Sequence, residues 1–276
     1  MTEIKIFISS DMEGTAGVVD WDQVQSQGPR YEYFCELLTA EVNAAIEGAA
    51  NAGATEFLVN DSHSKMANLR PGALAGHASY LSGRHKPMYM MEGLDETFDA
   101  VFFVSYHGSM GSASVLSHTY YPTAIAEVAI NGVVAGESGI NALVALAYGV
   151  PVVLVTGDAT TADETLAFCP GAQSAVVKAS RSRFAASSLH PERACELIRE
   201  RACLAVASLA LAGQVAIELP AAVHVRFKTT DYAALAARVG GWERTGPMTA
   251  EVEGDDALEL YRSFITVVLL CRGLTE

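Results

Sequence analysis

Two carboxylates stand two residues apart in Ile6-Phe7-Ile8-Ser9-Ser10-Asp11-Met12-Glu13-Gly14. Extended residues i and i+2 share a face, so Asp11 and Glu13 can be aimed at one point as a strand gives out. Two histidines repeat the arrangement. His63 follows Glu56-Phe57-Leu58-Val59 through Asn60-Asp61-Ser62, and His107 follows Val101-Phe102-Phe103-Val104 through Ser105-Tyr106. Glu137 comes soon after Asn131-Gly132, a dipeptide that favours a tight reversal. Oxygen and nitrogen ligands without a thiolate suit zinc or manganese in a catalytic rather than a structural site. A two-metal centre needs roughly four to six ligands, with a carboxylate bridging ions about 3.5–4 Å apart. The five residues meet that number, and Asp11 is the natural bridge.

His118 is of a different kind. It lies in Val115-Leu116-Ser117-His118-Thr119, beyond the glycine- and serine-rich segment Gly108 to Ser114, which reads as a flexible loop. A histidine carried to the metals by a loop can exchange protons near neutral pH. His77, His85, His190 and His224 have no comparable context, and the Met88–Met91 cluster reads as core. Asp61 is either a partner for a substrate amine or a group that orients His63.

The elements that must position these residues read as alternating strands and helices. Short apolar runs predict strands at Ile4–Ser10, Glu56–Val59, Ala100–Val104, Pro151–Thr156 and Ala175–Val177. Apolar residues at three- and four-residue spacing predict helices at Tyr31–Ala52, Ser138–Tyr148, Thr161–Phe168 and Pro191–Leu211. A β pair is expected at Glu127–Ile130 and Val133–Val134. This alternation argues for an α/β fold with a mainly parallel sheet flanked by helices, the ligands standing in the crevice at its strand ends. After Gly213 the rhythm changes to strand (Val215–Leu219, Val223–Phe227), helix (Tyr232–Arg238), strand (Met248–Glu253) and helix (Ala257–Cys271). The expected division is a catalytic metal-binding domain over residues 1–212 and a smaller α+β subdomain over 213–276.

The whole chain excludes several classes. With 18 Lys and Arg against 32 Asp and Glu, a formal charge of −14 and no basic patch, it would repel nucleic acid. Its five cysteines are scattered and odd in number, which supports neither a disulfide framework nor a thiolate zinc site. No targeting signal or run of eighteen apolar residues occurs, so a soluble cytoplasmic protein away from the membrane is expected. There is no GxGxxG after the first strand, no Walker-type loop and no GxSxG elbow.

Taken as an ordered set, Ser10-Asp11-Met12-Glu13-Gly14, Val59 to Met66, Glu92-Gly93-Leu94-Asp95, Tyr106-His107, Ser117-His118 and Ile130-Asn131-Gly132 with Gly136 to Ala142 resemble the DppA-type D-aminopeptidases, a family of zinc metallopeptidases. The resemblance covers about the first 160 residues. It implies two zinc ions per chain on Asp11, Glu13, His63, His107 and Glu137, with His118 as the catalytic histidine. It further implies release of N-terminal D-amino acids from short peptides within a homo-oligomer, a decamer of two stacked pentameric rings. Departures are Ser105 and Gly108 beside Tyr106-His107, where relatives often carry glycine and alanine, and Ala159 after Asp158, where a second acid is frequent. Two other readings stand beside this one: a two-metal phosphoesterase, for which Lys65, Arg84 and Lys86 are the nearby phosphate-binding candidates, and a non-catalytic metal-dependent peptide-binding protein.

Overall fold

The computed structural model describes residues 3–274. In chain order it contains β1 (Lys5–Ser10), α1 (Tyr31–Asn51), β2 (Glu56–Asp61), β3 (Ser79–Leu81), β4 (Ala100–Tyr106), β5 (Ile125–Ile130), β6 (Val133–Val134) and α2 (Glu137–Tyr148). There follow β7 (Val152–Asp158), α3 (Ala159–Phe168), β8 (Gln173–Ser182), β9 (Ala185–Ser188), α4 (Pro191–Ala207), β10 (Ala221–Phe227), α5 (Thr230–Ala236), β11 (Glu243–Gly246), β12 (Thr249–Gly254) and α6 (Ala257–Cys271).

A seven-stranded sheet has the order β3-β2-β1-β4-β7-β8-β9, parallel throughout except for the antiparallel β8–β9 pair at its edge. Its central strands are apolar on both faces, because helices cover both: every residue of β4 and β7 is buried. From β1 the chain steps outward to β2 and β3, then returns to β4 on the other side of β1 and continues to β7 and β8. The direction of winding therefore reverses between β1 and β4, and the crevice beyond the carboxyl ends of such a pair is where open α/β sheets bind ligands. Asp11 follows β1 and His107 follows β4.

The second sheet is antiparallel and smaller, in the order β11-β12-β10-β5-β6. It takes strands from both sides of residue 213, since β5 pairs with β10 with Val223 opposite Ile130. The β5–β6 reversal is held by positive φ at Asn131 (49°) and Gly132 (79°), as a tight hairpin turn requires. Helix α6 packs Leu260, Tyr261, Phe264, Ile265 and Val268 into the core at helical spacing, each side chain worth about 1.5–3 kcal/mol of apolar burial. Asp256 caps it by accepting from the Leu258 and Glu259 N–H groups at 2.9 and 3.1 Å.

Two expectations differ, and three short strands were not expected. Val215–Leu219 is not a strand: Val215 and Ile217 are buried alternately, as in one, but the Ala216 N–H bonds the Phe168 carbonyl at the end of α3 rather than a neighbouring strand. The strand expected at Ala175–Val177 runs from Gln173 to Ser182. The short strands β3, β9 and β11 carry no apolar run to mark them. Among the described residues no helix is long and apolar enough to cross a membrane.

Candidate active site

The end of β4 is gripped by its neighbours. A Cβ on Gly14 would lie 2.0 Å from the Tyr106 carbonyl oxygen, and one on Gly157, at the end of β7, would lie 2.1 Å from the same atom. Glycine at both places lets the β1 and β7 backbones close on the Tyr106–His107 peptide. The Asp11 N–H bonds the Val104 carbonyl at 2.9 Å and the Gly14 N–H bonds Ser105 at 2.8 Å, fixing the two carboxylates against the strand that delivers His107. Glu137 arrives from the second sheet as the first residue of α2, where the positive end of the helix favours a carboxylate.

These five side chains meet. His63 Nδ1 lies 3.2 Å from Asp11 Oδ1 and 2.9 Å from Glu13 Oε2. His107 Nε2 lies 3.3 Å from Asp11 Oδ2 and 3.6 Å from Glu137 Oε2. Asp11 thus presents one oxygen to each of two ligand sets, Asp11–Glu13–His63 and Asp11–His107–Glu137, and within each set the ligand atoms lie inside 4.8 Å of one another. Asp11 Oδ2, Glu13 Oε2 and His107 Nε2 are all buried without a hydrogen-bond partner. Orphaned polar atoms of this kind are costly unless something else satisfies them, and a pair of divalent cations would satisfy all three. The residues therefore fit a metal centre.

Each imidazole is oriented by a main-chain carbonyl. His63 Nε2–H donates to Val24 at 2.7 Å, His107 Nδ1–H to Gly108 at 2.9 Å and His118 Nδ1–H to Leu116 at 2.9 Å. The other nitrogen of each ring is left facing the carboxylates, which is how a ligating or proton-exchanging histidine is prepared. His118 Nε2 stands 3.9 Å from Glu13 Oε1 and 3.8 Å from Glu137 Oε1, and its ring stacks on His107 with centroids 4.2 Å apart and planes 8° apart. Ser64, Ser105, Leu116 and Tyr120, each within two residues of one of these histidines, hold positive φ of 52°, 60°, 51° and 53°. Such strain is concentrated where surrounding structure fixes a working side chain.

The electrostatics are those of a cluster short of positive charge. Burial, then the Glu13 charge, pushes Asp11 up to about 7. Burial opposes ionisation of Glu13 and Glu137, yet the His63 and His107 charges hold them below the usual carboxylate range. Burial also works against the charged imidazoles, and is outweighed by Glu13 at His63, which rises well above its usual value, and by Glu137 at His107, which rises to about 10. Two protonated imidazoles thus provide the countercharge that divalent cations would also provide. His118 goes the other way, lowered by burial and then by the charge on His107, so its Nε2 carries a free lone pair at neutral pH.

Several supporting residues carried no signal in the sequence that singled them out. Lys178 of β8 is buried and donates to the carbonyls of Glu13, Thr15 (3.1 Å) and Val18 (2.9 Å), clamping the loop after β1. Glu41 of α1 accepts from the Ala16 N–H at 2.8 Å and the Ser105 hydroxyl at 2.7 Å, tying the β1 and β4 ends to the helix. Asp61 accepts from Asn68, whose side chain also donates to the His63 carbonyl at 2.8 Å. That use of Asp61 matches a positioning residue for His63 rather than a partner for substrate. The segment before His118 is not free: Ser109 bonds Glu164, Val115 bonds Ser180 and Leu116 bonds the Arg183 carbonyl.

Above the carboxylates a cavity of about 440 Å³ opens, walled by Trp21, Val24, Tyr89 and Tyr121, with Arg84 and Arg272 also in its lining. The volume lies in the range of small-molecule sites.

Comparison with known proteins places the chain in a family. The family description "D-aminopeptidase" matches residues 4–266. A D-aminopeptidase of Bacillus subtilis (strain 168) is 35% identical over 268 residues, which cover 97% of each chain. A solved structure of the Zn-dependent D-aminopeptidase DppA from Bacillus subtilis, described as a self-compartmentalizing protease, superposes with a TM-score of 0.93 at 34% identity, covering 99% of this chain and 100% of that one. With strand-end carboxylates and imidazoles converging in a fold shared from end to end, the chain belongs to the D-aminopeptidase family.

Proposed function

We propose that this chain is a di-zinc aminopeptidase that releases N-terminal D-amino acids from short peptides. The observation that carries the reading is the position of Asp11 between two ligand sets, Oδ1 toward His63 and Oδ2 toward His107, with three buried ligand atoms otherwise unpartnered. Asp11, Glu13 and His63 would hold one ion and Asp11, His107 and Glu137 the other. Ions so held supply polarisation of the scissile carbonyl and acidification of water near neutral pH. The oxygen and nitrogen donor set, and a similar protein described as Zn-dependent, support zinc as the metal.

The chain's own residues do the rest. His118 is the catalytic group: its Nδ1–H is committed to Leu116, and its Nε2 lone pair faces the gap between Glu13 and Glu137 where the carbonyl would sit. A nitrogen so placed can pass a proton to the leaving amine or attack the carbonyl carbon. Trp21 packs edge-on against the His118 ring, with centroids 5.5 Å apart and planes at 71°, and helps fix its orientation. The Tyr120 N–H donates to Glu137 at 2.7 Å and holds that carboxylate in place. Metal analysis combined with hydrolysis of matched D- and L-aminoacyl peptides and a phosphate monoester tests the reading. Two zinc ions per chain and hydrolysis of the D-peptides are expected, and cleavage of the phosphate ester alone would overturn it.

Assembly follows from the same reading. Val133, Val134, Leu211, Leu219 and Met248 are large apolar side chains left exposed on the single chain. A homo-oligomer, a decamer of two stacked pentameric rings, would cover such surface and enclose the active sites, in keeping with a similar protein described as self-compartmentalizing.

A further inference from the structure

The cavity over the site has two poles of opposite charge. Its lining includes Asp11, Glu13 and Glu137 among the candidate metal ligands, and the arginines Arg84 and Arg272. Neither arginine forms an ion pair with an acid among the described residues, in a chain that carries a formal charge of −14. Arg272, just past the end of α6, is held in place without being neutralised. Its guanidinium lies over the Tyr89 and Tyr121 rings, 5.5 and 5.6 Å from their centroids. One Nη donates to the Tyr120 carbonyl at 3.2 Å, and Nε is buried with no partner. A guanidinium has five donors in a planar fork that matches a carboxylate, and two aromatic contacts restrain that fork in advance.

Its place relative to the metal ligands can be bounded. The Tyr120 carbonyl accepts from Arg272 while the N–H of the same residue donates to Glu137 at 2.7 Å. One residue therefore separates the guanidinium from a candidate metal ligand, a path of roughly 9 Å through bonds of this length. From a scissile carbonyl at the metals, the terminal carboxylate of a dipeptide lies about one residue away, ~3.5 Å, and that of a tripeptide about two, ~7 Å.

We propose that Arg272, with Arg84 in the lining of the same cavity, binds the α-carboxylate of the substrate peptide, so that the site recognises di- and tripeptides by their free C-terminus. This rests on the aminopeptidase reading above and adds to it a determinant of substrate class. The two ends of a zwitterionic short peptide then match the two poles of the cavity, and a chain that continues past the third residue has no carboxylate to offer the fork.

The test compares D-alanylglycine and D-alanyldiglycine with their C-terminal amides, using the zinc-loaded full chain. Wild type should favour the free acids over the amides by about 10- to 100-fold in kcat/KM, the difference residing in KM. Arg272→Gln should lower that acid-to-amide ratio at least tenfold, and Arg84→Gln by a smaller factor. Should Arg272→Gln not fold, Arg272→Lys, which keeps the charge and loses the fork, should still lower the ratio several-fold. Equal cleavage of acids and amides by wild type overturns this proposal and leaves the aminopeptidase reading intact. Cleavage of neither overturns both. A ratio unchanged in folded variants at both arginines overturns the proposal as well.

Discussion

The imidazoles of His107 and His118 lie face to face, 4.2 Å between centroids and 8° between planes, yet they are prepared for opposite tasks. His107 turns Nε2 toward Asp11 and Glu137; burial lowers it, but the Glu137 charge outweighs burial and raises it to about 10. His118 is lowered by burial and by its neighbour's charge, so the pair divides into a group that stays with the acids and one that is free to react. His118→Ala should therefore keep both metal ions and an unchanged thermal transition while kcat falls roughly 10²-fold or more. Near-normal turnover would remove His118 from the chemistry, and loss of an ion would make it a ligand.

Gly14 admits no side chain, because its Cβ position is 2.0 Å from the Tyr106 carbonyl oxygen and 2.3 Å from the Ser105 carbonyl carbon. Those atoms are backbone and cannot swing aside. Gly14→Ala should cost about 1–3 kcal/mol or more in chemical denaturation and weaken metal binding, since the strain falls between Glu13 and His107. A wild-type midpoint in this variant would contradict the close packing of β1 on β4.

Lys178 tests how far the site depends on the loop that carries Glu13. Burial lowers its ammonium to about 8, yet three carbonyls, including that of Glu13, point at it. Lys178→Met keeps the stem and removes the donors, leaving buried carbonyls unpaired. Competition with a chelator should show metal affinity reduced by about 10- to 100-fold, as for other residues that orient a ligand. Unchanged affinity would reduce Lys178 to a stabilising role.

Asp158 gives a pH prediction outside the metal cluster. It caps α3 by accepting from the Thr161 N–H at 2.9 Å and accepts from the Ser114 and Ser180 hydroxyls. Burial opposes its charge, but the serine and Thr161 hydrogen bonds outweigh burial and hold it below 3.8. The unfolded chain therefore binds its proton first as pH falls, so the contribution is full above about 3.9 and is lost as pH drops through the folded value. Asp158→Asn in metal-free protein should lose about 1–3 kcal/mol at neutral pH and show a shallower acid limb. Parallel acid limbs in the two proteins would rule out this linkage.

The convergence of the candidate ligands was legible in the sequence because each stands just past a strand or at the start of a helix. Asp11, Glu13, His63 and His107 end apolar runs that a parallel sheet must bring side by side, and Glu137 follows a hairpin signal. What supports them was not legible. Glu41 sits among the apolar positions of α1, and Lys178 lies late in a strand, so nothing local says that both point at the β1 and β4 ends. Arg272 lies 152 residues from Tyr120, to whose carbonyl it donates, and only folding brings α6 over the site. The second sheet was hidden for the same reason: β5 finds β10 some ninety residues away, a pairing with no periodicity to announce it.

The size of the assembly is open to light scattering and its consequence to a peptide series. An oligomer at micromolar concentration is expected, with hydrolysis falling as the substrate lengthens at a constant N-terminus and absent for a folded protein. A monomer, or equal cleavage of peptide and folded protein, would defeat enclosure without touching the metal chemistry.

The most direct test of the central claim is the zinc content of Asp11→Ala beside wild type, measured by elemental analysis of folded protein. Asp11 gives Oδ1 to one ligand set and Oδ2 to the other. Wild type should hold close to two ions per chain, and the variant, with its bridge removed from both sets, should hold close to none. A variant that keeps one or both ions at full affinity would contradict the bridged two-metal centre.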